Sequence, residues 1–314
     1  MKRIFKSLLS LFILLQGISN FAQTNTQLRR GKVLKEKPTT VFLIGIDGLS
    51  VDGLTKANTP TMDMFVKKGA SSLKARGVMP TSSGPNWGSM LLGAGPEQHG
   101  ITSNGWRVND YSIEATIKDG DGFFPSVFDM IKKEDSNAKL GVFHEWGTIR
   151  DLFNTKVLHH IEKTGEMNES LDKAFAYFKK ERPKFVFVHL DAVDGAGHKF
   201  GHGSAEYYQE IGRIDNALGS FYEKLNALNK EEGTSVNILV TSDHGGVGTS
   251  HGGSTMEEII IPWILVGPNV KRGHSIEQPI NTYDTPATIL RLLDADRHIP
   301  IQWTGKPVLE AIKN

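Results

Sequence analysis

Six side chains able to bind a metal sit just past apolar runs of the chain. Asp47 follows Thr40-Val41-Phe42-Leu43-Ile44-Gly45-Ile46. Asp194 and His198 follow the run from Lys184 to Leu190, Asp243 and His244 follow Val236 to Ser242, and His251 lies in the loop Gly248-Thr249-Ser250-His251-Gly252-Gly253. Taken singly, a strand-terminal Asp often caps a turn and a loop His is often a surface residue. Taken together, these carboxylates and imidazoles form a mixed oxygen and nitrogen donor set, which suits zinc and is large enough for a pair of ions. The chain has no Cys, so no thiolate serves as ligand or nucleophile and no disulfide exists.

A hydroxyl stands out beside them, in Pro80-Thr81-Ser82-Ser83-Gly84-Pro85-Asn86 followed by the apolar Trp87-Gly88-Ser89-Met90-Leu91-Leu92. Pro85 marks the first turn of a helix, with Ser83 or Gly84 as the expected cap. A helix N-terminus presents unpaired N–H groups and the positive end of the dipole, so Ser83 is either a plain N-cap or a nucleophile facing an anion.

The elements that must position these groups follow from periodicity. Continuous apolar runs ending in Asp read as strands buried on both faces, delivering carboxylates at their C-terminal edge, where open α/β sheets place ligands. Between them lie helical segments: Thr59-Pro60 onward, closed by Lys67, Lys68 and Gly69; Pro125 to Lys133; one from Asp151 that places His159 and His160 on a surface helix; Met167 to Lys180; about 204–229; and one from Thr285-Pro286. Strand and helix alternate, predicting an α/β fold with a mostly parallel central sheet, helices on both faces and an active site at the C-terminal ends of the strands. His99 to Asn104 reads as a loop and 105–122 as a surface excursion.

The N-terminus has a basic start, Met1-Lys2-Arg3-Ile4-Phe5-Lys6, then an apolar core from Leu8 to Leu15. It reads as a secretory signal peptide over 1–23, with a polar linker over 24–38 and one catalytic domain over 39–314. The expected product is exported, periplasmic or secreted, with no stable membrane span once the leader is removed. The 36 basic and 35 acidic residues leave a net charge of +1, so bulk charge gives no nucleic-acid binding.

The motifs Asp47-Gly48, Pro80 to Asn86, His99-Gly100-Ile101-Thr102-Ser103-Asn104, Asp194-Gly195-Ala196-Gly197-His198, Ser242-Asp243-His244-Gly245 and His251-Gly252, in that order and spacing, resemble the alkaline phosphatase superfamily. The closest resemblance is to its nucleotide pyrophosphatase/phosphodiesterase branch, the type I phosphodiesterases. The resemblance implies two zinc ions, other divalent ions being possible. One is held by Asp194, His198 and His251, the other by Asp47, Asp243, His244 and the nucleophile Ser83. It also implies that Asn104 donates to a phosphoryl oxygen, and that a small phosphate ester or nucleotide is cleaved through a phosphoseryl intermediate. Diesterase members more often carry Thr at the nucleophile position and an aromatic next, where this chain has Gly84.

Three readings compete: a phosphodiesterase or nucleotide pyrophosphatase, a phosphomonoesterase on the same site, and an inactive exported binding protein. A monoester dianion asks for an extra cation near the phosphoryl oxygens. The segment His144-Glu145-Trp146-Gly147-Thr148-Ile149 lacks a Lys/Arg pair, which leans to the diesterase; Arg107, Arg150 and Lys199 stay open as candidate cations. His202 and Asp191 rank below the ligand set, Asp191 as a group that orients a ligand His. Trp87, Trp106 and Trp146 are candidate pocket walls, Trp106 first.

Overall fold

The computed structural model describes residues 39–313; the leader and linker expected over 1–38 lie outside them. Eight strands form one sheet: β1 (Thr39–Ile46), β2 (Ala70–Arg76), β3 (Leu140–His144), β4 (His160–Lys163), β5 (Phe185–Leu190), β6 (Ser235–Thr241), β7 (Ile260–Val266) and β8 (His274–Ser275). Their order is β4-β3-β5-β1-β6-β7-β2-β8. The pairs from β4 through β6 are parallel, and β7 runs antiparallel to both β6 and β2. The helices are α1 (Val51–Lys56), α2 (Pro60–Lys68), α3 (Ser83–Leu92), α4 (Pro96–His99), α5 (Val127–Glu134), α6 (Met167–Glu181), α7 (Ala192–Phe200), α8 (Ala205–Glu232), α9 (Met256–Ile259) and α10 (Asp284–Leu292). The chain is thus an α/β protein with a mostly parallel sheet and helices on both faces, as the alternating pattern predicts.

Successive side chains of β1 leave the sheet on opposite faces. Val41 and Leu43 join Trp87, Phe128, Phe187 and Leu290 in one core layer, under α3, α5 and α10. Phe42, Ile44 and Ile46 join Phe65, Phe178 and Phe221 in the other, under α2, α6 and α8. Covered on both sides, β1 needs no polar alternation, which is why it reads as one apolar run. It lies between β5 and β6, so three carboxyl ends are brought side by side.

Three expectations are corrected. No helix follows Asp151: two short 3₁₀ turns, Gly147–Asp151 and Thr155–Val157, lead into β4, so His160 opens an edge strand and His159 precedes it. Asn154 stops a helix there because its side chain accepts the Lys156 N–H at 3.1 Å, a local bond that competes with helical pairing. The cap of α3 is Ser82, in extended conformation, which makes Ser83 the first helical residue. His99 ends the short α4, and the loop starts only at Gly100.

The Thr59-Pro60 start of α2 holds, but the orphan N–H groups are met from elsewhere. Thr59 makes no side-chain cap bond. Asp215 of α8, fully buried, instead accepts from Thr61 N at 2.9 Å and Met62 N at 2.8 Å. Replacing Asp215 with Ala leaves those donors buried without a partner. The expected loss is about 1–3 kcal/mol, read from the urea midpoint, with Asp215→Asn milder because one acceptor oxygen remains.

Candidate active site

The C-terminal ends of β1, β5 and β6 converge. Asp47, Asp243 and His244 place one ligand atom each within 4.8 Å of one another, and Asp194, His198 and His251 do the same. Gly48 allows this closeness: its φ is +69°, and a Cβ there would meet Asp194 atoms at 2.8–2.9 Å. Its N–H donates to Asp243 Oδ1 at 3.2 Å. In the first group His244 Nε2 lies 3.1 Å from Asp243 Oδ2 and 3.5 Å from Asp47 Oδ1. In the second, His198 Nε2 is 3.1 Å from Asp194 Oδ2.

The imidazoles share one design. Nδ1 of His244 faces the Gly245 carbonyl at 2.8 Å, Nδ1 of His198 the Thr249 carbonyl at 2.9 Å and Nδ1 of His251 the Thr81 carbonyl at 3.0 Å. A carbonyl only accepts, so each Nδ1 carries the hydrogen and each Nε2 of the neutral ring presents a lone pair. His251 Nε2 and His198 Nε2 then face each other at 3.2 Å. Asp47 Oδ1, Asp194 Oδ1 and Asp243 Oδ2 are buried without a hydrogen-bond partner. Donor atoms aimed at a shared point and left unsatisfied are what a divalent cation needs, and the residues fit one in each group.

Charge tells the same story. Burial pushes Asp194 up to about 8, with the carboxylates of Asp47 and Asp191 adding to the shift. Asp243 is raised well above its ordinary value by burial and then by Asp47 and Asp194. Asp47 goes the other way, to about 2: burial would raise it, but the hydrogen bond from His189 and the charges of His244 and His189 together outweigh that. Burial lowers His244 to about 4, keeping its ring neutral. Without a cation, the site holds protons where ligand atoms should be bare.

Ser83 Oγ lies 3.3 Å from His244 Nε2, so the hydroxyl faces the Asp47–Asp243–His244 group from the first turn of α3. The loop before it is tied down by Asn86, whose amide spans the Val78, Pro80 and Ser82 carbonyls at 3.2, 3.1 and 3.0 Å and whose Oδ1 accepts from Val78 N at 2.6 Å. Thr81 joins this loop to the His251 loop, donating to Gly253 O at 2.8 Å and accepting from Gly252 N at 3.1 Å. Asn104 Oδ1 accepts from Gly84 N at 2.7 Å. That N–H is therefore spent on fixing the Asn104 amide, and of the two only the Nδ2 hydrogens are left to donate outward. Gly84 has no room for a side chain, since a Cβ would stand 2.8 Å from Ser103 O. His99, buried, sets the loop that carries Asn104: Nδ1 accepts from Ile101 N at 3.0 Å, and Nε2 bonds Ser89 Oγ on α3 at 2.9 Å.

Other candidates fall away from the centre. His202 sits on a loop and joins neither three-residue group, although its Nε2 lies 3.8 Å from Asp194 Oδ1, the same distance as that of His251. Asp191 groups with His189 and Asp47. Trp106 packs against Phe123 in the core, and Trp146 lies 6.4 Å from the His189 ring. Arg107 is held by the Trp106 carbonyl and Asp151, and Lys199 lies over the Phe200 ring. Among the described residues no ion pair joins Arg107, Arg150 or Lys199 to the two groups. Sequence reasoning missed Thr81, the bond from Trp87 Nε1 to Asp47 Oδ2 at 3.0 Å, and the bond from His189 to the same oxygen at 3.0 Å. His189, one polar residue inside the apolar run of β5, was the available signal.

Comparison with known proteins places this geometry. Bovine bis(5'-adenosyl)-triphosphatase ENPP4 is 25% identical over 225 residues, 69% of this chain and 49% of that protein; the chain spans about half the length of this curated relative. The structure of murine ectonucleotide pyrophosphatase/phosphodiesterase 5, an inactive form in complex with AMP, superposes with a TM-score of 0.66 at 17% identity, covering 82% of this chain and 95% of that one. A variant of the alkaline phosphatase PafA gives 0.71 at 12% identity, covering 90% and 100%. At such identities the two structures speak for the fold, which is alkaline-phosphatase-like. The profile for type I phosphodiesterase / nucleotide pyrophosphatase matches residues 41–262. That span runs from β1 into β7 and takes in both ligand groups, Ser83 and Asn104: the chain belongs to the type I phosphodiesterase / nucleotide pyrophosphatase family.

Proposed function

We propose that this chain is an exported hydrolase of phosphate esters that cleaves phosphodiester or nucleotide pyrophosphate bonds through a phosphoseryl intermediate on Ser83. The observation that carries the reading is the convergence of His198 Nε2 and His251 Nε2, 3.2 Å apart, beside the group at Asp47, Asp243 and His244, with Asp47 Oδ1, Asp194 Oδ1 and Asp243 Oδ2 buried and left without a hydrogen-bond partner. A relative named for bis(5'-adenosyl)-triphosphate cleavage and a structural neighbour solved with AMP support nucleotide esters as substrates.

Two divalent ions, zinc by donor type, would be held by Asp194, His198 and His251 and by Asp47, Asp243, His244 and Ser83. When bound, they supply Lewis acidity that eases loss of the hydroxyl proton and offsets charge on the phosphoryl oxygens. The chain does the rest. The first turn of α3 holds Ser83 Oγ toward the phosphorus; the new Ser–O–P bond forms as the bond to the leaving oxygen breaks, and water later cleaves the phosphoseryl ester. Asn104, locked through Gly84 N–H, offers Nδ2 hydrogens to a non-bridging oxygen as charge grows there. Arg107 and Lys199 are engaged elsewhere, which favours a diester monoanion over a monoester dianion and leaves Arg150 as the one of the three candidate cations to test.

Ser83→Ala should bind zinc nearly as the parent does, since the other ligands remain, while turnover of bis-p-nitrophenyl phosphate falls by at least about a thousandfold. A near-parental rate in that variant removes Ser83 from the chemistry. Exhaustive chelation should abolish turnover and zinc should restore it. Bis-p-nitrophenyl phosphate should show a higher kcat/KM than p-nitrophenyl phosphate; the reverse order promotes the phosphomonoesterase reading.

The carboxylate shifts give a pH test. In the metal-free fold Asp194 keeps its proton up to about 8, against 3.8 for the ordinary group. The folded state binds the extra proton across that interval, so metal-free stability should fall as pH rises from about 4 to about 8. Zinc uptake displaces the proton, so affinity should tighten as pH rises toward about 8. Melting temperatures with and without zinc, and competition titrations across that range, measure both.

A further inference from the structure

Asp47 uses its two carboxylate oxygens differently. Oδ2 accepts from Trp87 Nε1 at 3.0 Å and from His189 Nε2 at 3.0 Å. Oδ1 has no hydrogen-bond partner and faces His244 Nε2 at 3.5 Å. Trp87 and His189 are both 0% exposed, so water does not stand in for either donor. The His189 ring, at 5.0 Å and 74° to the indole, meets it edge on.

What lets the indole reach that oxygen is an absent side chain. Gly45 lies two residues before Asp47 on the same face of β1, paired in register with His189 on β5. A Cβ on Gly45 would stand 2.4 Å from Trp87 Cη2 and 2.5 Å from Cζ3. The ring therefore lies across β1 in the space a side chain at position 45 would fill.

We propose that Gly45, Trp87 and His189 form a positioning device that assigns the two oxygens of Asp47, committing Oδ2 to protein N–H groups and leaving Oδ1 for the ion of the Asp47–Asp243–His244 group. This rests on the reading that the group holds an ion. A buried carboxylate free to rotate could chelate through both oxygens or turn one away; two fixed donors on one oxygen select one-oxygen binding and one direction for it. Two observations argue against mere core packing. Both N–H groups converge on the same atom, and the glycine that admits the indole costs the strand a side chain on its buried face, next to its C-terminal end.

The test is zinc titration of the metal-free full chain against a chromophoric chelator, with metal-free melting followed in parallel. The variants are Trp87→Phe, His189→Leu, His189→Gln and Gly45→Ala. The parent should take up two ions. Trp87→Phe and His189→Leu should weaken one of them by about 10–100-fold and leave the other unchanged. His189→Gln, which keeps an N–H at the ε position, should recover most of that loss. Gly45→Ala, which alters no polar group, should behave like Trp87→Phe. A purely structural role would lower the metal-free melting temperature without separating the two affinities, and that result overturns the proposal, as does unchanged binding in Trp87→Phe and His189→Leu. If Gly45→Ala does not fold, the comparison of Trp87→Phe with the parent decides. A parent that takes up no zinc defeats the ion reading itself, a failure visible before any variant is compared.

Discussion

Three carboxylates, Asp47, Asp194 and Asp243, are forced together at the ends of adjacent strands, and among the described residues no Lys or Arg stands in ion-pair contact with them. Like charges so placed in a buried setting cannot all ionise, which is why Asp194 and Asp243 are driven up while Asp47 is driven down. The surrounding structure is arranged about this repulsion. Backbone carbonyls fix the tautomers of His198, His244 and His251 so that lone pairs, not protons, point inward. Gly48 brings α7 close enough for the two groups to share a wall. A fold that gathers three carboxyl groups with too few partners to ionise them all is suited to completion by a divalent cation.

The Ser83 end is held by a different kind of constraint, a mesh of neutral hydrogen bonds among loops. Asn86 closes the turn before Ser83, Thr81 fastens that turn to the loop carrying His251, and His99 with Ser89 fixes the segment leading to Asn104. None of these bonds involves a formal charge, so the hydroxyl and the amide are positioned without adding to the field of the carboxylates. The result separates two tasks: charge sits on strand ends, and geometry is kept by polar groups at the N-terminus of α3.

Much of this was legible in the residues. β1, β5 and β6 announce themselves because strands buried on both faces carry unbroken apolar runs, and the acids that end them are conspicuous against that background. The edge was harder to read. β4 has a half-buried pattern and among the described residues pairs only with β3, so its periodicity is too short and too mixed to separate from a helical turn. The start of α3 was read late because Pro85 draws attention to itself, whereas a Pro is tolerated anywhere in the first turn. The partners of Asp47 were not legible: Trp87 looks like any core aromatic, and its bond depends on a tertiary contact across Gly45 that no local pattern encodes. Likewise, the capping of α2 by Asp215 joins residues 154 apart in the chain.

The strand order also governs when the centre comes into existence. β1 enters near the beginning of the described chain yet lies between strands that arrive much later: Asp47 meets His189 across 142 residues and Gly48 meets Asp243 across 195. Closing such long loops is entropically costly and is repaid only when whole strand pairs form. Neither ligand group is therefore complete in a partial chain that stops short of β6, since Asp243, His244 and His251 all lie beyond it. A cell that exports this protein unfolded would thus export it without its metal, and the ions taken up would be those of the compartment in which the last parallel strand falls into place.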